Sequence, residues 1–354
     1  MNNKAPRCDI FCVVVDNYGD AAVCWRLARQ LRCDYGWEVR LWIDDLAPLE
    51  KLTTADERSL IDIQRWVSEF PKTLPAEIVI EAFACELPPA YIASMASLSI
   101  KPVWLNLEYL SAEAWVDGCH GMTSRHPRLP LVKQFFFPGF TPDTGGLLRE
   151  KDYATRQAKF DTAAFRAEFS LMEQPDALTL SLFSYANPAL PKLIDAWSES
   201  ETPVQVLCPG SAQPRQQIGN LELIPLPFLP QSRYDEMLWL CDLNFVRGED
   251  SFVRAQWAGK PFVWQIYPQA DDAHLPKLEA FIANFTKVGA DDTAINKAMR
   301  NFWLAWNSQG PLDWTAFTYA LPALQKQAAN WANHLVKQRD LAANLVQFCL
   351  ERLK

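Results

Sequence analysis

The sequence predicts an α/β protein made of two doubly wound parallel-sheet domains. Three observations lead to this class. Short apolar runs without polar alternation recur along the chain, as strands covered on both faces require. Segments with apolar residues at helical spacing separate those runs. The rhythm stops at a turn-rich stretch, residues 137–146, and then starts again. At 354 residues the chain also exceeds the usual size of a single core, so two domains are expected.

In chain order, residues 10–15 are the first strand. Residues 21–31 follow as a helix, with Val23, Leu27 and Leu31 at spacing four. Residues 39–43, 78–83 and 102–107 are further strands, and this strand–helix rhythm implies a parallel sheet. The charged helical segment 149–170 connects the halves. In the second half, strands are expected at 178–185, 204–208, 221–225, 243–246 and 261–267. Helices are expected at 191–198, 234–241 and 252–259. From about residue 324 the chain reads as helical. Leu341, Leu345 and Phe348 share a face there, and Asp340 suits the cap of a separate last helix. The expected organisation is a first domain of residues 1–155, joined by a C-terminal helix of about 330–354, and a second of residues 175–325. Two such lobes with long terminal helices suggest the two-lobed glycosyltransferase architecture GT-B. Its ligands bind beyond the carboxyl ends of the strands, in the cleft between lobes.

Composition narrows the function. A formal charge of −8 argues against nucleic-acid binding, which wants a basic face. No apolar run reaches membrane-spanning length and residues 1–7 carry no apolar signal region, so no membrane association is expected. Nine cysteines without a CxxC pair read as free thiols of a reducing, cytoplasmic compartment. No glycine-rich dinucleotide fingerprint follows the first strand, and no phosphate-binding loop or Gly-x-Ser-x-Gly elbow occurs. Asp271, Asp272 and His274 match no strong metal-ligand spacing and read as a solvated loop, and no metal or cofactor is expected. Trp303, Trp306 and Trp314 read as buried helix faces.

Two clusters carry the chemistry. The run Arg247-Gly248-Glu249-Asp250-Ser251 lies between a strand and a helix. N–H groups at a helix start favour a phosphate, and Arg247 adds a forked donor. Glu249 and Asp250 offer acceptors for hydroxyls, so the run suggests a sugar nucleotide. The second cluster, Asp16-Asn17-Tyr18-Gly19-Asp20, occupies the first strand-to-helix loop. Gly19 permits a tight turn and a close approach, and two acids four apart across a turn could reach one point. Asp20 is equally suited to starting the helix and Asp16 to forming the turn. Phe183-Ser184-Tyr185 ends the first strand of the second half, where a ring could meet a ligand or simply alternate in the strand. Gln231 and Tyr267 also follow strands at that edge.

These residues resemble one family. Asp16-Asn17-Tyr18-Gly19-Asp20, Leu105 to Glu113, Phe183-Ser184-Tyr185, Arg247 to Phe252 and Trp264 to Gln269 are similar to the bacterial protein-arginine rhamnosyltransferases that modify translation elongation factor P. The resemblance implies a GT-B fold, dTDP-β-L-rhamnose as co-substrate, elongation factor P as protein acceptor, and inversion at the anomeric centre without a metal. It implies Asp20 as the catalytic carboxylate, with Asp16 and Glu249 as further acids. The donor set it implies is Asn17, Tyr18, Gly19, Phe183, Tyr185, Gln231, Arg247, Asp250, Ser251, Phe252 and Tyr267. Either Phe252 or Phe183 would stack on thymine. Glu108, Tyr109 and Glu113 are candidates for docking the acceptor. A GT-B enzyme with a small-molecule or lipid acceptor, and a sugar-nucleotide binder without activity, are the competing readings.

Overall fold

The computed structural model describes residues 5–16, 18–174, 176–288 and 292–353. The chain divides into two compact units. One comprises residues up to 151 together with those from 338 onward, and the other comprises residues 152–337.

The first unit holds β1 (Arg7–Cys12), β2 (Glu38–Ile43), β3 (Asp62–Arg65), β4 (Ile78–Ala82), β5 (Val103–Leu107), β6 (Thr123–Arg125) and β7 (Val132–Phe136). Their order in the sheet is β3-β2-β1-β4-β5-β7-β6, with only the edge strand β6 antiparallel among these pairs. The chain works outward from β1 to β3 and then restarts beside β1 with β4. The gap between β1 and β4 is therefore the point where strand order reverses, and loops leaving their carboxyl ends are where such sheets bind ligands.

The second unit repeats the plan. It holds β8 (Leu178–Leu182), β9 (Val204–Pro209), β10 (Gln216–Ile218), β11 (Leu221–Leu226), β12 (Leu243–Arg247) and β13 (Phe262–Gln265). Their order is β10-β11-β9-β8-β12-β13, with the edge strand β10 antiparallel. Its reversal point lies between β8 and β12.

The strand interiors follow the apolar runs, and the ends differ for definite reasons. β1 stops at Cys12 rather than residue 15, because Val14 N–H leaves the ladder for the Asp44 carboxylate and Val15 turns outward. β13 stops at Gln265, where Ile266 N–H donates to Asn307 Oδ1 instead. The first helix runs Gly19–Tyr35 and closes on Gly36 at φ 70°, a conformation that glycine adopts without strain. The 149–170 segment is two short helices, Tyr153–Ala158 and Thr162–Glu168. The sequence reading did not assign the edge strands β3, β6 and β10, the interior strand β7, the short helices Ala47–Leu52, Ala55–Arg58, Pro89–Ser97 and Trp115–Cys119, or the helices Leu275–Lys287 and Thr293–Trp306.

The long helix Trp314–Val336 belongs to the second unit, so the return to the first unit falls at residue 338 rather than near 330. The last helix, Leu341–Leu350, is capped by the Asp340 carboxylate accepting from Ala343 N–H. It packs on the Gly19–Tyr35 helix, and Gln30 Nε2 donates to Asp340 Oδ1 at 3.0 Å.

The first unit has an aromatic core around Phe11, Trp42, Tyr91 and Trp104. The second is centred on Phe252, Phe262, Trp264, Phe281 and Trp303, with Trp303, Trp306 and Trp314 all buried. The nine cysteines are free thiols, five of them buried. Among the described residues, no helix is long and apolar enough to cross a membrane and no group of three or more His, Cys, Asp or Glu side chains could hold a metal ion. His274, in the loop read as solvated, is buried and accepts from Gln269 N–H.

Candidate active site

Both sequence clusters fall at reversal points. Residues 16–20 follow β1. Residues 183–185 and 247–251 follow β8 and β12. The two units are described in turn.

In the first unit, Tyr18 caps the Gly19–Tyr35 helix through its backbone only, and Asp20 lies in the first turn. Asp20 is only 1% exposed. Its Oδ2 accepts from Val15 N–H and Asp16 N–H, both at 2.8 Å. Its Oδ1 accepts from the Tyr109 hydroxyl at 3.1 Å. The carboxylate thus closes the loop that precedes the helix rather than capping the helix N–H groups. All three donors are neutral, and no ion pair to Asp20 occurs among the described residues. Asp16 makes the turn, its carbonyl accepting from Gly19 N–H at 2.6 Å. The close approach that Gly19 permits is that of Asp16 itself: a Cβ at residue 19 would stand 2.5 Å from Asp16 Oδ2. Tyr18 is half-buried, and its hydroxyl accepts from Lys51 Nζ at 3.1 Å. Asn17 lies outside the described residues.

Tyr109 is itself built in. It follows β5, stacks on Phe83 at 4.2 Å, and is 39% exposed. Phe83, Ala84 and Glu86 follow β4 with φ values of 56°, 53° and 53°. Left-handed backbone in non-glycine residues stores strain, which tends to gather at functional edges. Ala84 N–H donates to Asn106 Oδ1, and the Asn106 amide donates to Glu108. The strained loop therefore holds the ring beneath Tyr109, whose hydroxyl reaches Asp20. Glu113 is engaged with Ser111.

In the second unit, the run after β12 is a tight turn. Gly248 takes φ 57°, which its lack of a Cβ allows. Ser251 Oγ accepts from Arg247 N–H and donates back to Arg247 O, so this hydroxyl fastens the turn. Glu249 is the cap residue of the helix Asp250–Ala258, with no side-chain cap hydrogen bond. The first N–H groups of a helix have no partner within it and attract anions. The Arg247 guanidinium lies over the rings of Phe183 and Tyr185, 4.2 and 4.6 Å from their centroids, and donates to Ser184 O at 3.0 Å. Tyr185 in turn meets Tyr267, which is partly exposed, edge-on at 5.6 Å. An arginine, three aromatic rings and a helix start therefore occupy one reversal point.

The donor-set expectation for the Phe252 ring needs correction. The ring is fully buried, stacked on Trp264 at 3.8 Å and edge-on to Phe281. It faces the core and cannot stack on a base, which leaves Phe183 of the two. Phe228, which sequence reasoning passed over, is half-buried and packs edge-on to Phe183 at 6.2 Å. Its signal was its place after a strand, one turn before Gln231. Gln231 itself is buried, and its amide N–H donates to Asp250 Oδ2 at 2.9 Å. Asp250 also accepts from Arg254 Nε at 2.9 Å. The Tyr234 phenol is buried beside Ser251 but outside hydrogen-bonding geometry, and burial pushes its pKa well up.

Comparison with known proteins adds to this geometry. The model of the Elongation-Factor P (EF-P) rhamnosyltransferase EarP family matches residues 8–350. A protein-arginine rhamnosyltransferase of Pseudomonas putida is 43% identical, covering 96% of this chain and 97% of that one. One from Shewanella oneidensis is 40% identical, covering 98% of each. A solved structure described as the structural basis for EarP-mediated arginine glycosylation of translation elongation factor EF-P superposes with a TM-score of 0.70 at 34% identity, over 98% of this chain and 99% of that one. At 14% identity, MurG of Acinetobacter baumannii and the calicheamicin glycosyltransferase CalG4 share the fold alone, each with a TM-score of 0.52. The fold is GT-B: two doubly wound α/β units in one chain.

Proposed function

The chain belongs to the EF-P rhamnosyltransferase EarP family, and from that premise we propose that it transfers L-rhamnose from dTDP-β-L-rhamnose to an arginine side chain of translation elongation factor P. The observation that carries this reading is the match to the family over residues 8–350, in which both reversal-point clusters fall. The nine free thiols fit a reducing, cytoplasmic setting.

Each role is assigned to the edge of one unit. The second unit binds the donor. Arg247 and the N-terminal turn of the Asp250–Ala258 helix take up the diphosphate charge, Phe183 and Phe228 flank the base, and Tyr185 and Tyr267 border the sugar. The first unit handles the acceptor, with Asp20 as the base and Asp16 beside it; Glu249 supports the sugar or the guanidinium.

The acceptor nitrogen is a poor nucleophile, since a guanidinium has a pKa above about 12 and cannot be deprotonated beforehand near neutrality. The step is a single in-line displacement. The guanidinium nitrogen bonds to the anomeric carbon, and the bond from that carbon to the β-phosphate oxygen breaks. Its electron pair leaves with dTDP, and the proton lost by the nitrogen passes to Asp20 as the new bond forms. Attack opposite the leaving group converts the β-donor to an α-linked product. Asp20 suits this role because its present partners are two N–H groups and a phenol rather than a cation.

The test is direct. Purified chain, dTDP-β-L-rhamnose and elongation factor P are incubated, and the factor is weighed intact. A gain of one deoxyhexose, lost when the acceptor arginine is replaced by lysine, is expected. No gain, or a gain that survives that replacement, overturns the reading.

A further inference from the structure

Beneath the proposed donor edge runs a chain of charged side chains, of which only Asp250 has been given a role. Asp235, on the helix Gln231–Leu240, is fully buried. Its Oδ1 accepts from Arg254 Nη1 at 2.9 Å, and its Oδ2 accepts from both terminal nitrogens of Arg156 at 3.2 and 3.1 Å. Arg254, also buried, spans from Asp235 to Asp250 with its fork. Asp250 holds the amide nitrogen of Gln231. Asp235, Arg254 and Asp250 lie buried together, and Arg156, a quarter exposed and also paired with Asp152, brings a second positive charge to Asp235 from the surface side, so that no buried carboxylate lacks a cation.

A hydrophobic pair of similar volume would serve stability as well or better than such a buried network. Its geometry has a narrower effect. Asp250 is the first residue of the helix whose N-terminal turn faces the proposed phosphate site, and Gln231 is the first of the neighbouring helix. Arg254 fixes the Asp250 carboxylate. An ionised carboxylate can only accept, so it fixes which end of the Gln231 amide turns toward it. Asp235 fixes Arg254 from the other helix. We propose that Arg254 and Asp235 are positioning residues for nucleotide binding, acting through Asp250 and Gln231 without touching the nucleotide. The inference rests on the donor-site reading above and extends it from residues at the edge to the pair that sets them.

Thymidine diphosphate is the probe, titrated calorimetrically into the full chain. Arg254→Gln and Asp250→Asn are each expected to weaken it about tenfold, the scale of losing a charge-assisted hydrogen bond. If Arg254 acts through Asp250, the double variant binds no more weakly than the worse single variant. In turnover, Arg254→Gln is expected to raise the donor KM while kcat at saturating donor stays within about twofold. A merely structural role would lower the apparent kcat together with the melting temperature and leave KM unmoved. Where Arg254→Gln melts below the assay temperature, Arg254→Lys, which keeps the charge and loses the fork, is judged by the same criteria. Unchanged affinity in a folded variant, or strictly additive losses, overturns the inference and leaves the donor site standing. If the unaltered chain does not bind thymidine diphosphate, the donor site falls and the inference with it.

Discussion

Asp20 and Asp250 occupy matching places in the two units. Each lies in the first turn of a helix that leaves a strand at the reversal point, and each is buried. Their partners differ. Asp20 is held by two N–H groups and one phenol, all neutral. Asp250 is held by a buried arginine and an amide. A carboxylate paired with a fixed cation is an anchor, because taking up a proton would leave that cation uncompensated. A carboxylate held only by dipoles can meet a cationic substrate or accept a proton without that penalty. The same residue type in the same local position is thus suited to chemistry in one unit, as proposed for Asp20, and to architecture in the other, and the neighbours decide which.

The contrast can be broken in order of expected effect. Asp20→Asn keeps the shape and removes the proton acceptor. Single-turnover transfer, read by intact mass, should fall about a thousandfold or more, while thymidine diphosphate binds as before. Normal turnover would end the role given to Asp20. Phe252→Ala removes a fully buried ring and should cost about 3–5 kcal/mol in denaturant unfolding; a stability loss below about 1 kcal/mol would contradict its place in the core. Phe183→Ala should leave stability nearly intact and weaken thymidine diphosphate by about 1–3 kcal/mol, the range for a ring stacked on a base. Unchanged affinity would remove Phe183 from the base site. Arg247→Ala should weaken the same probe by about 1.5–3 kcal/mol, the worth of a hydrogen bond to a charged group. Equal binding of thymidine and its diphosphate by the unaltered chain would argue against a phosphate role there. The smallest effect is expected for Tyr109→Phe, which takes one neutral hydrogen bond from Asp20. The transfer rate should drop about fivefold, in line with roughly 1 kcal/mol, with donor affinity unmoved.

The strands and the two-unit plan were readable because parallel strands buried on both faces must be apolar throughout. Residues 10–12 show this directly, while residues 39–43 and 78–83 each carry one charge, Arg40 and Glu81, held by Asp9 and Lys133; the Asp340 cap was readable because capping is local. Edge strands β3, β6 and β10 escaped because their largely exposed residues carry no apolar run. At the site, position in the chain was readable and orientation was not. The bond from Tyr109 to Asp20 joins residues 89 apart, and nothing in either segment announces it. Phe252 was misplaced for the same reason: Trp264 and Phe281, which claim its ring, lie well downstream. Arg254 did carry a signal, its spacing of four from Asp250 on one helix. Only the partner on the neighbouring helix gives that spacing its meaning.

The return of the chain at residue 338 has a consequence for synthesis. Residues 338–353 pack on the first helix of the first unit, yet they leave the ribosome after the whole second unit. The second unit therefore has all its own residues available first, while the Gly19–Tyr35 helix waits, one apolar face uncovered, for its cover. The unit that begins first is finished last, and a nascent chain stalled before residue 338 would hold a complete second half beside an unfinished first.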